Sequence, residues 1–464
     1  MNSDRAGVRL WYLPPEVSPP EPSLDGCLQR LTEVTPELIR TAAATLDRAK
    51  PALSELGTGT IVEAIDRAIR SWQDAASPYR EALFEHGPAL TGFSLPLLQH
   101  AVDVMLAKFN AEGLWRLITE ELGNPAALDR FVQSAGATMR VARGPGRQFQ
   151  VLAGGVPTVG IFSMVCALLV KSPALVKPSA HDLLFPSLFA QTVACVEPRL
   201  AEALAVMPWS GGSGDLDEAA MEGAGVIVVY GTDATVEHFR RRAPRGARFV
   251  GYGHHLSAAC VARESLTTAE AEETVRRLAW DVALFDQQGC LSPQFAAVEC
   301  GGVIEPRAFA ERLAGALATL AVRFPRGSLS PGEATHIQSL RDTARFQSSS
   351  GAVVALWESP DSTDWTVVYR DGRDGLQSCR NRFITIVPVT DLRRDMIHLC
   401  PGLPISTIGV AASMERMPAL ADAFAPIATR ICPLGSMGEP PITWRHDGQT
   451  NLGPLVTWVD LEVR

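Results

Sequence analysis

The chain has 464 residues, of which 46% are hydrophobic and 20% are charged. This composition is typical of a globular protein, and the length is sufficient for two or three domains. The formal net charge of −9 argues against nucleic acid as an obligatory partner, because phosphate binding requires a basic surface. The nine cysteines form no C-x-x-C pair and keep no metal-ligand spacing with a histidine. We therefore expect reduced thiols, a cytoplasmic location and no metal site.

The first part of the chain, residues 1–137, is predicted to be mostly helical. Its proline-rich start contains no long apolar run, so no signal peptide is expected. From residue 35 to residue 122 apolar side chains recur at helical spacing. Residues 138–155 are then predicted to form a β-hairpin, because two alternating stretches flank Gly144-Pro145-Gly146.

The uncharged stretch 151–170 is about long enough to span a bilayer. Gly154, Gly155, Pro157 and Gly160 interrupt it early, and β-branched residues are frequent. A buried strand, turn and helix is therefore favoured over a membrane span.

Residues 156–257 alternate between short apolar runs and helical patterns, which predicts a parallel sheet covered by helices on both faces. Nucleotides bind such Rossmann-type sheets at the carboxyl ends of the strands. With one further run that opens the next domain, the predicted strands are 158–162, 174–177, 204–207, 225–229, 248–251 and 258–261.

Residues 258–435 are predicted to form a second α/β domain. An amphipathic helix at 269–284, a strand at 294–298, a helix at 306–322, a surface loop at 346–365, and strands at 383–389 and 406–410 are expected. The last segment, 436–464, ends in a strand at 455–463 that could pair with the early hairpin. Both look exposed and alternating, so a homodimer or higher homo-oligomer is expected.

The most informative segment is FDQQGCLSPQ (residues 285–294), where Cys290 lies in a polar turn directly after the amphipathic helix. A nucleophilic thiol needs access and a lowered pKa, and a loop or helix end can supply both. The alternative is an inert loop cysteine.

Two segments suggest a nucleotide site. Lys177 ends a predicted strand and is one of only four lysines in an arginine-rich chain, which suggests a need for a compact ammonium group. A lysine that merely faces water is the alternative. Gly231-Thr232 opens a helix whose first N–H groups can hold a pyrophosphate, although Thr232 can equally be only an N-cap.

Two further segments contain histidine. Gly253 precedes His254 and His255 at a glycine-rich strand end, and without a third ligand at suitable spacing these histidines are expected to be loop residues. His446, beside Asp447 and ahead of the last strand, can act as an acid or base. A surface turn is the alternative there.

The order of these segments resembles the aldehyde dehydrogenase superfamily, and it looks most like the LuxC-type acyl-CoA reductases of bacterial bioluminescence operons. The sequence AGGVP (153–157) resembles that branch's Ala-Gly-Asn-Val-Pro signature, and KPS (177–179) is similar to the superfamily's cofactor turn. The family's pyrophosphate turn resembles residues 230–232, its nucleophile loop resembles residues 288–290, and its C-terminal signature resembles residues 446–458.

The resemblance implies an α/β, aldehyde dehydrogenase-like fold. Its parts are an N-terminal segment (1–137) that packs on the cofactor domain, an oligomerisation flap (138–155), an NADP-binding Rossmann-like domain (156–257), a catalytic domain (258–435) and a C-terminal return segment (436–464). It also implies that Cys290 is the nucleophile and His446 an acid or base, that Lys177, Ser179, Gly231, Thr232 and Gly253 bind the cofactor, and that Ser163 and Gln288 contact the substrate.

Three departures from the superfamily's pattern refine the expected activity. Gly251 aligns on the glutamate that activates water in aldehyde-oxidising members, which favours thiol exchange over hydrolysis. Ala180 lacks the carboxylate that opposes a 2′-phosphate, which favours NADPH, with NADH as the alternative. Gly155 replaces an asparagine, so the backbone N–H of Cys290 is the expected oxyanion donor.

The expected reaction is the reduction of acyl-CoA or a carrier-protein-bound acyl group to an aldehyde. The alternatives are an oxidative aldehyde dehydrogenase and a catalytically inactive homologue.

Overall fold

The computed structural model describes residues 8–20, 23–25, 28–134, 138–372, 376, 378–402 and 405–462. The chain divides into two compact units. Unit 1 comprises residues 1–91, 98–253 and 441–464, and unit 2 comprises residues 92–97 and 254–440.

The strands of the described ranges are β1 (Val8–Arg9), β2 (Ser23–Asp25), β3 (Leu28–Arg30), β4 (Val132–Gln133), β5 (Thr138–Arg143), β6 (Gln148–Val151), β7 (Ala174–Lys177), β8 (Leu204–Val206), β9 (Val226–Tyr230), β10 (Arg248–Tyr252), β11 (Leu256–Val261), β12 (Phe295–Glu299), β13 (Val354–Glu358), β14 (Thr366–Arg370), β15 (Phe383–Val389), β16 (Ile405–Ala411), β17 (Ala428–Pro433) and β18 (Thr457–Glu462).

The α-helices of the described ranges are α1 (Pro36–Glu55), α2 (Thr58–Gln73), α3 (Pro78–Thr91), α4 (Leu95–His100), α5 (Ala111–Leu122), α6 (Pro157–Leu169), α7 (Leu184–Val196), α8 (Gly214–Met221), α9 (Asp233–Arg242), α10 (Ala271–Ala283), α11 (Pro306–Arg323), α12 (Pro331–Ser349), α13 (Leu392–Leu399) and α14 (Met417–Phe424).

Unit 1 is built on a five-stranded parallel sheet with the order β10-β9-β6-β7-β8. Its central strands read as continuous apolar or fully buried runs, as in Val226–Tyr230, because helices cover both faces of the sheet. The predicted Rossmann-type sheet is therefore confirmed. The mostly helical N-terminal region is confirmed as well, since five α-helices lie between residues 36 and 122.

The predicted hairpin at 138–155 is wrong. β5 pairs antiparallel with β18 and β4, whereas β6 runs parallel to β7 and β9 in the large sheet. The Gly144–Gly146 turn therefore joins two different sheets. An alternating pattern shows that a segment is a strand, but it does not identify the neighbouring strand. The expected pairing of the final strand with this region is confirmed, since Thr457 lies opposite Arg143.

The predicted strand at 158–162 is also wrong, because these residues lie inside α6. Pro157 occupies the first turn of that helix, where its missing N–H costs nothing. Nearly every residue of α6 is buried, so the apolar pattern has no helical periodicity and cannot be told from that of a buried strand. None of the helices in the described ranges is both long and apolar enough to cross a membrane.

Unit 2 contains a seven-stranded sheet with the order β13-β14-β15-β12-β11-β16-β17, in which only β13 is antiparallel to its neighbour. Helices α10 and α11 pack on one face and α13 and α14 on the other.

The loop predicted at 346–365 is wrong in part, since it contains the end of α12 and the whole of β13. The helix α12 begins with a capping box formed by Ser330 and Glu333. Its weak apolar stripe, with only three buried residues, explains why the sequence pattern did not reveal it.

Candidate active site

Cys290 lies in unit 2, between the end of α10 and the start of β12, and its side chain is partly buried. The hydroxyl of Ser257 donates to the carbonyl oxygen of Cys290 at 2.6 Å. The same hydroxyl oxygen accepts the backbone N–H of Thr407 at 3.2 Å. Two neighbouring strands, β11 and β16, thus fix the backbone position of the cysteine.

The backbone before Cys290 is unusual. Phe285, Asp286 and Gln287 have φ angles of 47°, 53° and 63°, a left-handed conformation that residues other than glycine rarely adopt. The turn therefore reverses sharply at the end of α10. The next helix begins only at Pro306, so neither flanking helix places its N-terminus at the thiol.

The two glutamines before Cys290 hold the loop in place. The amide nitrogen of Gln287 donates to the carbonyl oxygens of Pro293 (2.6 Å) and Phe383 (3.0 Å). The amide nitrogen of Gln288, predicted to contact the substrate, donates to the side-chain oxygen of Asn381 at 2.8 Å. No local sequence pattern points to Asn381, because its contact with Gln288 spans 93 residues.

In unit 1, Lys177 lies at the carboxyl end of β7 and is mostly buried. Its ammonium nitrogen is 5.4 Å from the centroid of the Trp209 ring, within the range of a cation–π contact. Burial lowers the pKa of Lys177, and the Asp217 carboxylate acts in the opposite direction. Asp217 in turn accepts the indole N–H of Trp209 at 2.8 Å. Trp209 is a site residue that sequence analysis missed.

The AGGVP and KPS segments meet in unit 1. A Cβ atom added to Gly154 would lie 2.6 Å from the hydroxyl oxygen of Ser179 and 2.9 Å from the Cβ of His181. Only glycine permits this approach. The Ser179 hydroxyl accepts the backbone N–H of His181 at 3.2 Å, which closes the turn, and Ala180 is exposed beside it.

The start of α9 brings together three predicted cofactor residues. Thr232 is the N-cap, and its hydroxyl oxygen accepts the backbone N–H of Thr235 at 3.2 Å. The N–H of Gly231 donates to the carbonyl oxygen of Tyr252 at 3.1 Å. A Cβ on Gly253 would lie 2.5 Å from a carboxylate oxygen of Asp233, so a side chain there would displace that carboxylate.

His446 is part of an aromatic stack at the ends of β9 and β10. Its ring centroid is 4.3 Å from that of Tyr252 with an interplanar angle of 16°, and 4.7 Å from that of Trp444. The Tyr230 ring stacks on Tyr252 at 4.7 Å. The His446 side chain is 14% exposed, so it is a packed group rather than a freely exposed turn residue.

Ser163 belongs to the same cluster. It is buried inside α6, and its side chain hydrogen-bonds to Tyr230. Burial raises the pKa of Tyr230 well above its ordinary value. Sequence analysis singled out Ser163 and His446 but not the two tyrosines that connect them.

Gly251 is the residue that the family resemblance predicts at the position of a water-activating glutamate. A Cβ there would lie 2.7 Å from a methyl carbon of Val236 and 2.8 Å from the ring of Phe249. Such distances are far below van der Waals contact. A side chain at this position would therefore require Val236 and Phe249 to shift.

Comparison with solved structures shows the aldehyde dehydrogenase fold. The chain is similar to aldehyde dehydrogenase 21 from Physcomitrella patens with a TM-score of 0.73 and 13% identity, over 100% of this chain and 96% of that one. It is also similar to PnpE from Pseudomonas sp. WBC-3, with a TM-score of 0.74 and 16% identity over 98% of each chain.

Comparison with curated proteins finds several long-chain acyl-protein thioester reductases, and two of them illustrate the similarity. The one from Photorhabdus luminescens is 27% identical over 185 residues, which are 39% of this chain and 38% of that protein. The one from Vibrio harveyi is 22% identical over 246 residues, which are 52% of this chain and 50% of that protein. The matched part thus spans about half or less of either relative. The family model described as acyl-CoA reductase (LuxC) matches residues 53–458, and the chain therefore belongs to the LuxC acyl-CoA reductase family.

Proposed function

We propose that the protein reduces an acyl thioester to an aldehyde through an acyl-Cys290 intermediate, with NADPH as the reductant. Membership of the family supports an acyl thioester as substrate. The names of the curated relatives favour a long-chain acyl group carried by a protein, with acyl-CoA as the alternative donor.

The packing around Gly251 is the observation that favours reduction over aldehyde oxidation. Oxidation of an aldehyde to the free acid requires hydrolysis of the acyl-enzyme, but Gly251 supplies no carboxylate to activate water, and a side chain there would overlap Val236 and Phe249. Without such a base, the acyl-cysteine exchanges with another thiol more readily than with water.

In the proposed first step, the Cys290 thiolate attacks the carbonyl carbon of the donor. The bond from carbon to the Cys290 sulfur forms, the bond to the donor sulfur breaks, and the donor leaves as a thiolate that takes up a proton. The backbone N–H of Cys290 is the proposed donor to the oxyanion. The Ser257 hydrogen bond to the Cys290 carbonyl would hold that peptide group in position.

The residues of unit 1 fit a dinucleotide. We assign the ribose or its 2′-phosphate to Lys177 and the Ser179 turn, and the pyrophosphate to Gly231, Thr232 and the first turn of α9. Gly253 lies close to the Asp233 carboxylate, and because it has no side chain it leaves the start of α9 open to the cofactor. NADPH, when bound, supplies the hydride that reduces the acyl-cysteine carbonyl, after which the Cys290 thiolate leaves and the aldehyde is released.

His446 is the proposed acid that protonates the departing donor thiolate. Stacking between Tyr252 and Trp444 fixes the orientation of its ring, as an acid/base group requires. Ser163 and Gln288 already bond to Tyr230 and Asn381, so we propose that they shape the substrate site through these partners.

We also propose a homodimer or higher homo-oligomer. The edge strand β18 is exposed along its whole length, including Trp458, Val459 and Leu461. An exposed apolar edge strand offers unpaired backbone groups to a second copy.

The direct test is Cys290→Ala, assayed by NADPH oxidation that depends on an added acyl thioester. Turnover should be lost, whereas Cys195→Ala, which removes an exposed thiol of unit 1, should retain it. Undiminished turnover of Cys290→Ala would refute the mechanism. Oxidation of aldehyde to free acid without added thiol would favour an oxidative dehydrogenase. If neither NADPH nor NADH raises the melting temperature, the result favours a catalytically inactive homologue.

A further inference from the structure

A second left-handed segment lies opposite the one that precedes Cys290. Arg380, Asn381 and Arg382 have φ angles of 61°, 57° and 61°, and they come just before β15 in unit 2. Three consecutive non-glycine residues in this region are costly, and such strain persists only where the surrounding structure imposes it. We call residues 378–383 the clamp segment and residues 285–290 the nucleophile loop.

The two segments bond to each other residue by residue. The backbone N–H of Asn381 donates to the carbonyl oxygen of Asp286 at 2.9 Å. The Gln287 side chain accepts the N–H of Phe383 at 2.9 Å and donates to its carbonyl oxygen at 3.0 Å. With the Gln288–Asn381 bond, three successive loop residues contact the clamp segment.

A buried ion pair locks this arrangement. The Nε of Arg382 donates to a carboxylate oxygen of Asp286 at 2.9 Å, and both residues are less than 5% exposed. Each partner makes one further hydrogen bond. Arg382 donates to the carbonyl oxygen of Phe324 at 2.8 Å, and Asp286 accepts the backbone N–H of Gly327 at 2.9 Å. Removal of one member of such a pair leaves an uncompensated buried charge.

We propose that the clamp segment positions the Cys290 thiol, so that Asp286, Asn381 and Arg382 set its reactivity without contacting the substrate. The inference rests on the proposed role of Cys290 as nucleophile. Ordinary fold stabilisation would not require left-handed backbone on both sides of the contact. Arg341, an equally buried arginine of unit 2, bonds to Thr366 and to groups at 359–365, and that contact includes a single left-handed residue, Asp361, instead of three on each side.

Arg341 provides the matched control. Arg382→Lys and Arg341→Lys each remove one buried guanidinium from unit 2 and keep the charge. For each variant we would measure the melting temperature and the rate of Cys290 alkylation by iodoacetamide across a pH series, with the modified peptide identified by mass. Both melting temperatures should fall. Only Arg382→Lys should change the alkylation rate, by about tenfold, and move the midpoint pH of alkylation. Equal alkylation profiles in both variants and the wild type would overturn the proposal.

A second pair of variants keeps the test decisive if Arg382→Lys does not fold. Asn381→Gly retains easy access to the left-handed conformation but loses the bond to Gln288, whereas Asn381→Ala loses both. Alkylation of Cys290 should change in Asn381→Gly and change further in Asn381→Ala. If both variants show the alkylation profile of the wild type, the proposal that the clamp segment positions the Cys290 thiol is refuted. Because alkylation needs neither acyl donor nor cofactor, its result is independent of whether the protein reduces thioesters.

Discussion

Glu299 allows a prediction about stability whose size follows from the structure. It lies fully buried at the end of β12 in unit 2. Arg416 donates to its two carboxylate oxygens at 2.5 and 2.6 Å, and Arg263 donates its backbone N–H and its Nε, each at 3.1 Å. Burial alone would raise the pKa of Glu299, but these hydrogen bonds outweigh it and lower the pKa from 4.5 to about 2.

A pKa lowered in the folded state stabilises the fold wherever the carboxylate is ionised. At about 1.4 kcal/mol for each pH unit, the lowering of the Glu299 pKa corresponds to about 3 kcal/mol. The side chains of Arg263 and Arg416 are 47% and 24% exposed, and water screens them, so we expect about 2 kcal/mol. This stability is present above about pH 4.5 and is lost as the pH falls from there toward 2.

The perturbation is Glu299→Gln, compared with Glu273→Gln on the surface of α10, where Glu273 pairs with Arg277 one turn away. Urea unfolding near neutral pH should show a loss of about 2 kcal/mol for Glu299→Gln and only a few tenths for Glu273→Gln. The difference in free energy of unfolding between wild type and Glu299→Gln should become smaller as the pH is lowered below about 4.5. If this difference in free energy of unfolding stays constant down to about pH 3, the charge of Glu299 does not stabilise this site.

Three further predictions concern unit 1. Gly251→Ala should lower the free energy of unfolding by about 1–3 kcal/mol, because its Cβ would overlap Val236; wild-type stability in urea would contradict this. Trp209→Leu should raise the KM for NADPH by about tenfold, since Lys177 loses a cation–π partner. Trp209→Phe keeps an aromatic ring and should raise the KM less. Equal KM values in the two variants would refute the role of the ring. Trp458→Glu on β18 should shift the sedimentation profile toward smaller species, and an unchanged profile would place the subunit contact elsewhere.

The structure of a segment could be predicted from the sequence where the segment's own residues determine it. The run Val226-Ile-Val-Val-Tyr230 predicts a buried strand in any context, and the amphipathic pattern before Cys290 predicts α10. The polar turn at Cys290 was recognisable because glycine, proline and glutamine around a cysteine are untypical of a buried thiol. In each case the signal is local.

Sequence analysis failed where a distant part of the chain decides the outcome. The β6 pattern is the same whether its partner is β5 or β7, and only the assembled sheet distinguishes them. The contact between Asp286 and Arg382 joins residues 96 positions apart, and no local pattern predicts left-handed backbone at residues other than glycine or asparagine. The stack of Tyr230, Tyr252 and His446 likewise forms only when two strand ends and the C-terminal segment meet.

The division of the chain into units bears on how the proposed chemistry is distributed. The candidate cofactor residues Lys177 and Thr232 follow the carboxyl ends of strands β7 and β9 in unit 1, where open parallel sheets bind nucleotides. Cys290, in unit 2, comes before β12 and is tied to the first residues of β11 and β16. These bonds, near the starts of the two strands, fix the carbonyl group of Cys290, but they leave the direction of its thiol to be set by the loop that precedes it. The strained nucleophile loop and the clamp segment meet that need, since a short buried contact fixes a sulfur atom more accurately than a free loop can.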